Sequence, residues 1–243
     1  MNPAIATQDL CKEYVIDIIP RTLYNFAKRL TAPAQTHKRI RVLNNINLTI
    51  YPGECVGIIG DNGSGKSTLL RLLAGIYWPT QGTVTIAFQP VALLQLGLAM
   101  ERNLTTLQNI FVFGAIMQIP RDRIQSELKG IFEFAEIGDY LHCPLRDLSS
   151  GMVQRLAFAM VRLIDSKILL MDELLTSGDI HFRQKCYRVV DELRRAGKTI
   201  IITSHETSMI EHFCTRCFWL DKGQLLDSGP TAPILKNYIA SRR

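Results

Sequence analysis

The strongest constraint on this chain is a run of eight residues, Gly60-Asp61-Asn62-Gly63-Ser64-Gly65-Lys66-Ser67, which fits G-x-x-x-x-G-K-[ST]. It follows the apolar stretch Val56 to Ile59 directly and precedes a helical pattern over Thr68 to Leu73. Glycines between a strand and a helix let backbone N–H groups fold around a polyphosphate, at a helix end whose dipole also favours negative charge. In that setting Lys66 reaches the β and γ phosphates and the Ser67 hydroxyl coordinates Mg2+. The candidate nucleotide-binding set is therefore Gly60, Asn62, Gly63, Ser64, Gly65, Lys66, Ser67 and Thr68, and the implied ligands are ATP and Mg2+. A plain glycine-rich turn is the competing reading, and the strand before and helix after argue against it.

Two more continuous apolar runs, Ile168 to Met171 and Thr199 to Thr203, have the pattern of parallel strands buried on both faces. Helical patterning over Phe182 to Arg195 separates them, giving the strand-helix alternation of an α/β sheet. Shorter β-rich pieces flank it: Ile5 to Leu10, Val42 to Ile50, Thr83 to Ala87, Cys217 to Leu220 and Gln224 to Asp227. The last two are joined by the hairpin turn Asp221-Lys222-Gly223. Between about 101 and 164 apolar residues recur at helical spacing, broken by Pro120 and Pro144, which predicts a helical insertion. The expected architecture is α/β: a P-loop NTPase core with a mostly parallel sheet, an antiparallel β subdomain and a helical insertion, all within one domain over 1–243.

Asp172 and Glu173 close the run that begins at Ile168, at the carboxyl end of a buried strand where ligands of α/β sheets collect. Asp172 is placed to hold Mg2+ through a water, and Glu173 to orient and deprotonate an attacking water. The bland alternative is a polar strand cap. Ser149-Ser150-Gly151-Met152 precedes a helix with the apolar face Val153, Leu156, Ala157, Met160, Leu163 and Ile164. Small residues at a helix start leave amides open to an anion, although Ser-Ser is also a common N-cap.

No uninterrupted apolar run reaches the roughly 18 residues that span a bilayer, and the first residues lack the pattern of a secretory signal. Both point to a cytosolic protein. Its six cysteines are then expected to be reduced and mostly buried; Cys214 and Cys217 beside His212 lack a fourth ligand for zinc. The formal charge is +6, and 15–41 carries +5 of it, with Arg21, Lys28, Arg29, Lys38, Arg39 and Arg41 against Asp17. Charge concentrated in one segment argues against a general nucleic-acid-binding face and for a local contact with phosphates or a membrane surface. Within it Ile19, Leu23, Phe26, Ala27 and Leu30 recur at helical spacing after Pro20, giving a basic amphipathic helix. That helix is either docked on its own domain or placed near a membrane, a transport partner or the anionic head of a lipid-linked glycan.

Taken in order, these motifs resemble the ABC transporter ATPase family over almost the whole chain. The resemblance makes Ser149-Ser150-Gly151 the signature loop, which reads Ser-Ser-Gly-Met where Ser-Gly-Gly-Gln is usual. In the family this loop closes on the nucleotide of a second, head-to-tail copy. Ser177-Gly178-Asp179 matches the D-loop, and His205 the switch histidine that contacts the γ-phosphate; with Glu173 and Lys66, His205 completes the implied catalytic set. Tyr14 matches the aromatic that stacks on adenine, or it simply packs. Gln95, fourteen residues before Asn109, matches the glutamine that senses Mg2+ and the membrane partner, with Gln89 as the alternative. Gln108-Asn109 stands where the family has Glu-Asn.

Within the family the signature, the stretch Leu93-Leu94-Gln95-Leu96-Gly97 and the insertion after Tyr14 resemble ATPases that export O-antigen, capsule and teichoic acid. That implies a peripheral subunit on the cytoplasmic face of the inner membrane, working with a separate transmembrane permease subunit. Leu98-Ala99-Met100 and Leu174-Leu175-Thr176 depart from the subclass pattern. The competing functions are an ABC ATPase for another substrate, a non-transport ABC ATPase acting on DNA or ribosomes, and a regulatory module that barely hydrolyses ATP. The second lacks the coiled coils or paired ATPase domains it would need, and the third has no need of a base at Glu173.

Overall fold

The computed structural model describes residues 2–17, 37–94, 100–172 and 180–242. In chain order its elements are β1 (Ile5–Asp17), β2 (His37–Ile50), β3 (Cys55–Ile59), α1 (Lys66–Leu73), β4 (Gln81–Ile86), β5 (Val91–Leu94), α2 (Thr106–Ile116), α3 (Arg121–Ala135) and α4 (Ser150–Ala159). After these come β6 (Ile168–Asp172), α5 (Ile180–Arg195), β7 (Thr199–Thr203), α6 (Thr207–Phe213), β8 (Arg216–Asp221), β9 (Gln224–Pro230) and α7 (Thr231–Ser241).

Among the described residues the strands form two sheets, β2-β1-β4 and β5-β6-β7-β3-β8-β9. The first is antiparallel throughout; the second is parallel except for the β8–β9 hairpin. The period-2 geometry of a strand, with both faces buried, explains the continuous apolar runs Val56 to Ile59, Ile168 to Met171 and Ile200 to Ile202. Val56, Ile58, Ile168, Leu170 and Ile201 face one core, together with Leu69, Leu70, Leu72 and Leu73 of α1 and Ile5, Leu10, Leu43 and Ile46 of the antiparallel sheet. Cys55, Ile59, Leu169, Met171, Ile200 and Ile202 face the other, against Leu156, Val190, Ile210 and Leu235 from the helices. Helix α1 is thus sandwiched between the two sheets, which fixes the loop that precedes it.

The expected helical stretch holds α2, α3, α4 and 3-10 turns at Gly138–Tyr140, Leu145–Asp147 and Met160–Leu163. Helix α2 opens with a capping box: Gln108 N donates to Thr105 Oγ1, and Thr105 N to Gln108 Oε1. Asn109 is 1% exposed, and its amide nitrogen donates to the carbonyls of Glu101, Leu104 and Thr105. The Gln108-Asn109 pair that served as a sequence landmark therefore holds the start of this helix in place.

Three features differ from the sequence reading. Strand β1 runs to Asp17 and β2 starts at His37, so the ends of the basic 15–41 segment are an antiparallel ribbon, with Val15 opposite Arg39 and Asp17 opposite His37. Glu13 and Arg41 hold that ribbon with an ion pair of 2.6 Å. The Ile19 to Leu30 stripe lies outside the described residues. Strand β5 is four residues following Pro90, too short for periodicity to declare it, and α7 follows the hairpin in a stretch to which the sequence reading assigned no element. Cys214 and Cys217 turn into the core, Cys214 Sγ lying 3.9 Å from Cys55 Sγ, and burial pushes the Cys217 thiol up to about 11.

Candidate functional site

The parallel register brings the chemistry to one edge. Leu94 of β5 pairs with Asp172 of β6, Asp172 with Thr203 of β7, and Thr203 with Ile58 of β3, forming one row across four neighbouring strands. Just beyond that row the chain continues into the phosphate loop at Gly60 and into Ser204-His205 after β7. Gln95 and Glu173, next in sequence after β5 and β6, lie outside the described residues, as does Asp179. Gln89, the alternative to Gln95, precedes β5 at the opposite end of the sheet, where its carbonyl accepts from Ser166 Oγ at 3.2 Å.

The loop is clamped from below. Gly60 has φ 153°, and a Cβ there would lie 2.1 Å from the Leu220 carbonyl oxygen. Gly65 has φ 108°, and its Cβ would meet Leu43 Cδ2 at 2.8 Å. Such a close backbone approach admits only glycine. Gly223 of the β8–β9 turn donates its N–H to the Ser64 carbonyl at 2.9 Å, and its own carbonyl accepts from Asn44 N at 2.8 Å. Replacing Gly60 with Ala sets a methyl group against a backbone oxygen that cannot rotate away, and is expected to cost about 2–3 kcal/mol. The thermal midpoint should fall by roughly 5–10 °C; an unchanged melting curve would contradict the packing.

From above the loop is open. Asp61, Asn62 and Gly63 are exposed, and a Cβ on Gly63 would meet nothing within 4 Å. Gly65 caps α1 without any side-chain hydrogen bond, so the first-turn amides of this helix are left for another acceptor. Lys66 is 6% exposed and donates to the carbonyls of Gly60 at 2.8 Å and Asp61 at 3.0 Å. Ser64 is buried, and its hydroxyl has no hydrogen-bond partner among the described residues. Open amides, a positioned ammonium and an unsatisfied hydroxyl suit a polyphosphate.

Asp172 is half-buried, and its Oδ1 accepts a short hydrogen bond from Thr203 Oγ1. Sequence reasoning missed Thr203, because an apolar run ending in threonine reads as strand. His205 is exposed at the turn before α6, where Ser204 Oγ accepts from Glu206 N at 2.9 Å. Ser149 caps α4, accepting from Met152 N at 3.3 Å; Ser149 and Ser150 are exposed and Gly151 is half-buried. This helix start belongs to the helical region rather than to the strand edge. Tyr14 is half-buried, edge-on to Tyr77 at 6.2 Å, with the Lys12 ammonium 5.5 Å from both rings. These contacts are of the packing kind that the sequence offered as the alternative role for Tyr14.

The family is settled by sequence comparison, since the ABC transporter family's profile matches residues 43–176, more than half of the chain. The chain belongs to the ABC transporter family. This ABC transporter ATPase is 32% identical to the O-antigen export system ATP-binding protein RfbB of Klebsiella pneumoniae, over 98% of each chain. It is 40% identical to RfbB of Myxococcus xanthus over 82% of its own length and 46% of that relative's. It is also 40% identical to the teichoic acids export ATP-binding protein TagH of Bacillus anthracis, over 81% and 36%. The chain spans less than half of the latter two relatives. Among solved structures, the ATP-binding cassette MJ0796 in a dimeric post-hydrolysis state with ADP and Pi shares the fold, with a TM-score of 0.73 and 22% identity over 93% and 98% of the two chains. The ABC ATPase fold expected from the sequence is the fold observed. Among the described residues of the ATPase, no helix is long and apolar enough to cross a membrane.

Proposed function

We propose that this ATPase powers export of a lipid-linked polysaccharide through a separate transmembrane subunit, working at the cytoplasmic face of the inner membrane as a head-to-tail dimer. The observation that carries the substrate class is the likeness to the Klebsiella O-antigen export protein over nearly the full length of both chains. The geometry of the phosphate loop supports the role given to Lys66, and the other roles follow from the family resemblance. Lys66, already aimed by two loop carbonyls, clamps the β and γ phosphates, while the amides of Gly63 to Thr68 cradle them. Glu173 takes the proton of the attacking water, and His205 contacts the γ-phosphate. The helix start at Ser149, Ser150 and Gly151 serves the nucleotide of the partner copy, as does Asp179 of the D-loop. The hydroxyl of Ser67 and the carboxylate of Asp172, with Gln95, are hard oxygen donors of the kind Mg2+ takes, Asp172 through a water. Bound there, Mg2+ would neutralise charge between the β and γ phosphates.

The test is made in the source cell. With the chromosomal copy changed to Lys66→Ala, long-chain polysaccharide should vanish from the surface and lipid-linked polymer should accumulate inside. Unchanged surface polymer, in cells whose purified variant hydrolyses no ATP, would refute the glycan assignment and leave an ATPase for another cargo.

A further inference from the structure

The second residue of the phosphate loop is held from outside the loop. Tyr238 donates its hydroxyl to Asp61 Oδ1 at 2.9 Å, and Arg242 Nη2 lies 2.5 Å from the same oxygen. Tyr238 in α7 and Arg242 at its cap are four residues apart, one turn of helix on one face. The tyrosine is 2% exposed, its ring edge-on to Trp219 of β8 at 5.7 Å, and the Arg242 guanidinium lies 4.9 Å over it. The tyrosine is therefore fixed by packing before it reaches the carboxylate, with the half-exposed guanidinium laid against its ring.

On the other side, the Asp61 carbonyl accepts from Lys66 Nζ and also from Ser64 N at 3.1 Å. One residue thus has its side chain anchored to α7 while its main chain steers the lysine ammonium. The Tyr238 hydrogen bond, with Arg242 adding to it against burial, holds the Asp61 carboxyl below its ordinary range. It is an anion beside a site for anions. Left unrestrained, it could rotate toward incoming phosphates and repel them.

We propose that Tyr238 and Arg242 are positioning residues for nucleotide binding, which act through Asp61 to fix the carbonyl that aims Lys66 and to hold the Asp61 charge away from the phosphates. The inference rests on the reading of Lys66 as the phosphate clamp, and it ties the carboxyl-terminal helix to the affinity of the site.

The experiment titrates the full chain with the fluorescent analogue MANT-ATP in the presence of Mg2+. Tyr238→Phe keeps the ring contacts, and Arg242→Gln alters a half-exposed side chain while leaving the buried Tyr238–Trp219 contact in place. Each should raise Kd about fivefold, the size of one net hydrogen bond. In an Asp61→Ala background neither change should have any further effect. In Asp61→Asn, which keeps the oxygen acceptor but not the charge, Tyr238→Phe should still weaken binding while Arg242→Gln should not. A purely structural role for α7 would weaken binding in every background. Wild-type affinity of both single variants, or a loss that persists in Asp61→Ala, overturns the proposal. A Lys66→Ala control separates the two layers, since normal binding by it would remove the clamp reading itself.

Discussion

Lys66→Ala will lose nucleotide affinity by about a hundredfold or more, whereas Glu173→Gln will bind ATP normally and stall. The ammonium is buried and already bridged to two carbonyls at one end of the loop; in the proposed clamp it would meet two phosphates with charge-assisted bonds worth about 1.5–3 kcal/mol each. Alanine removes both contacts and leaves a void under the loop. Glutamine at Glu173 keeps the shape and the hydrogen-bonding reach but cannot take a proton, a function worth about 10²–10⁴ in rate. The measurement pairs MANT-ATP titration with phosphate release, and with size-exclusion chromatography to reveal an ATP-locked dimer. Hydrolysis at the parent rate by Glu173→Gln would remove its assignment as the base.

The second large effect lies between subunits. Gly151 starts α4 in an open setting, where a Cβ would meet only Ser149 Oγ at 3.9 Å, so Gly151→Asp is tolerated by its own fold. Its added carboxylate would instead repel the γ-phosphate that the partner's loop presents to this helix start. Homodimers of Gly151→Asp or of Lys66→Ala should each be inactive, with losses of about a hundredfold or more. Mixed, they form dimers in which one composite site carries both defects and the other carries neither. Recovered ATP trapping in the mixture, absent from either protein alone, is the expected result. Mixed dimers that form and trap nothing would exclude the head-to-tail arrangement.

Legibility in the sequence followed the strength of local signals. Strands β3, β6 and β7 were plain because both faces are buried, which confines polar residues such as Asp172, Thr199 and Thr203 to the strand ends. The phosphate loop was plain because its geometry demands glycine and lysine at fixed intervals. Strand β5 and the ribbon flanks of the basic segment were obscured, one by its brevity and the others because Lys38, Arg39 and Arg41 were counted into the basic insertion. What no local pattern could reveal is pairing across the fold. Thr203 meets Asp172 only because β6 and β7 lie side by side, and Tyr238 meets Asp61 across 177 residues of chain. The three candidate residues Gln95, Glu173 and Asp179 are known from sequence alone, being outside the described residues.

The turn at Gly223 ties the Ser64 carbonyl on one side to the Asn44 amide on the other, so the phosphate loop and the antiparallel sheet hang on one hairpin turn of the central sheet. Parting the two sheets therefore loosens the turn on which that loop rests. Whatever free energy a bound nucleotide contributes by keeping it closed is therefore shared by both, so a ligand touching eight residues raises the cost of local unfolding as far away as β1. The empty and loaded forms then differ in how cooperatively the whole chain melts, even where no strand has moved.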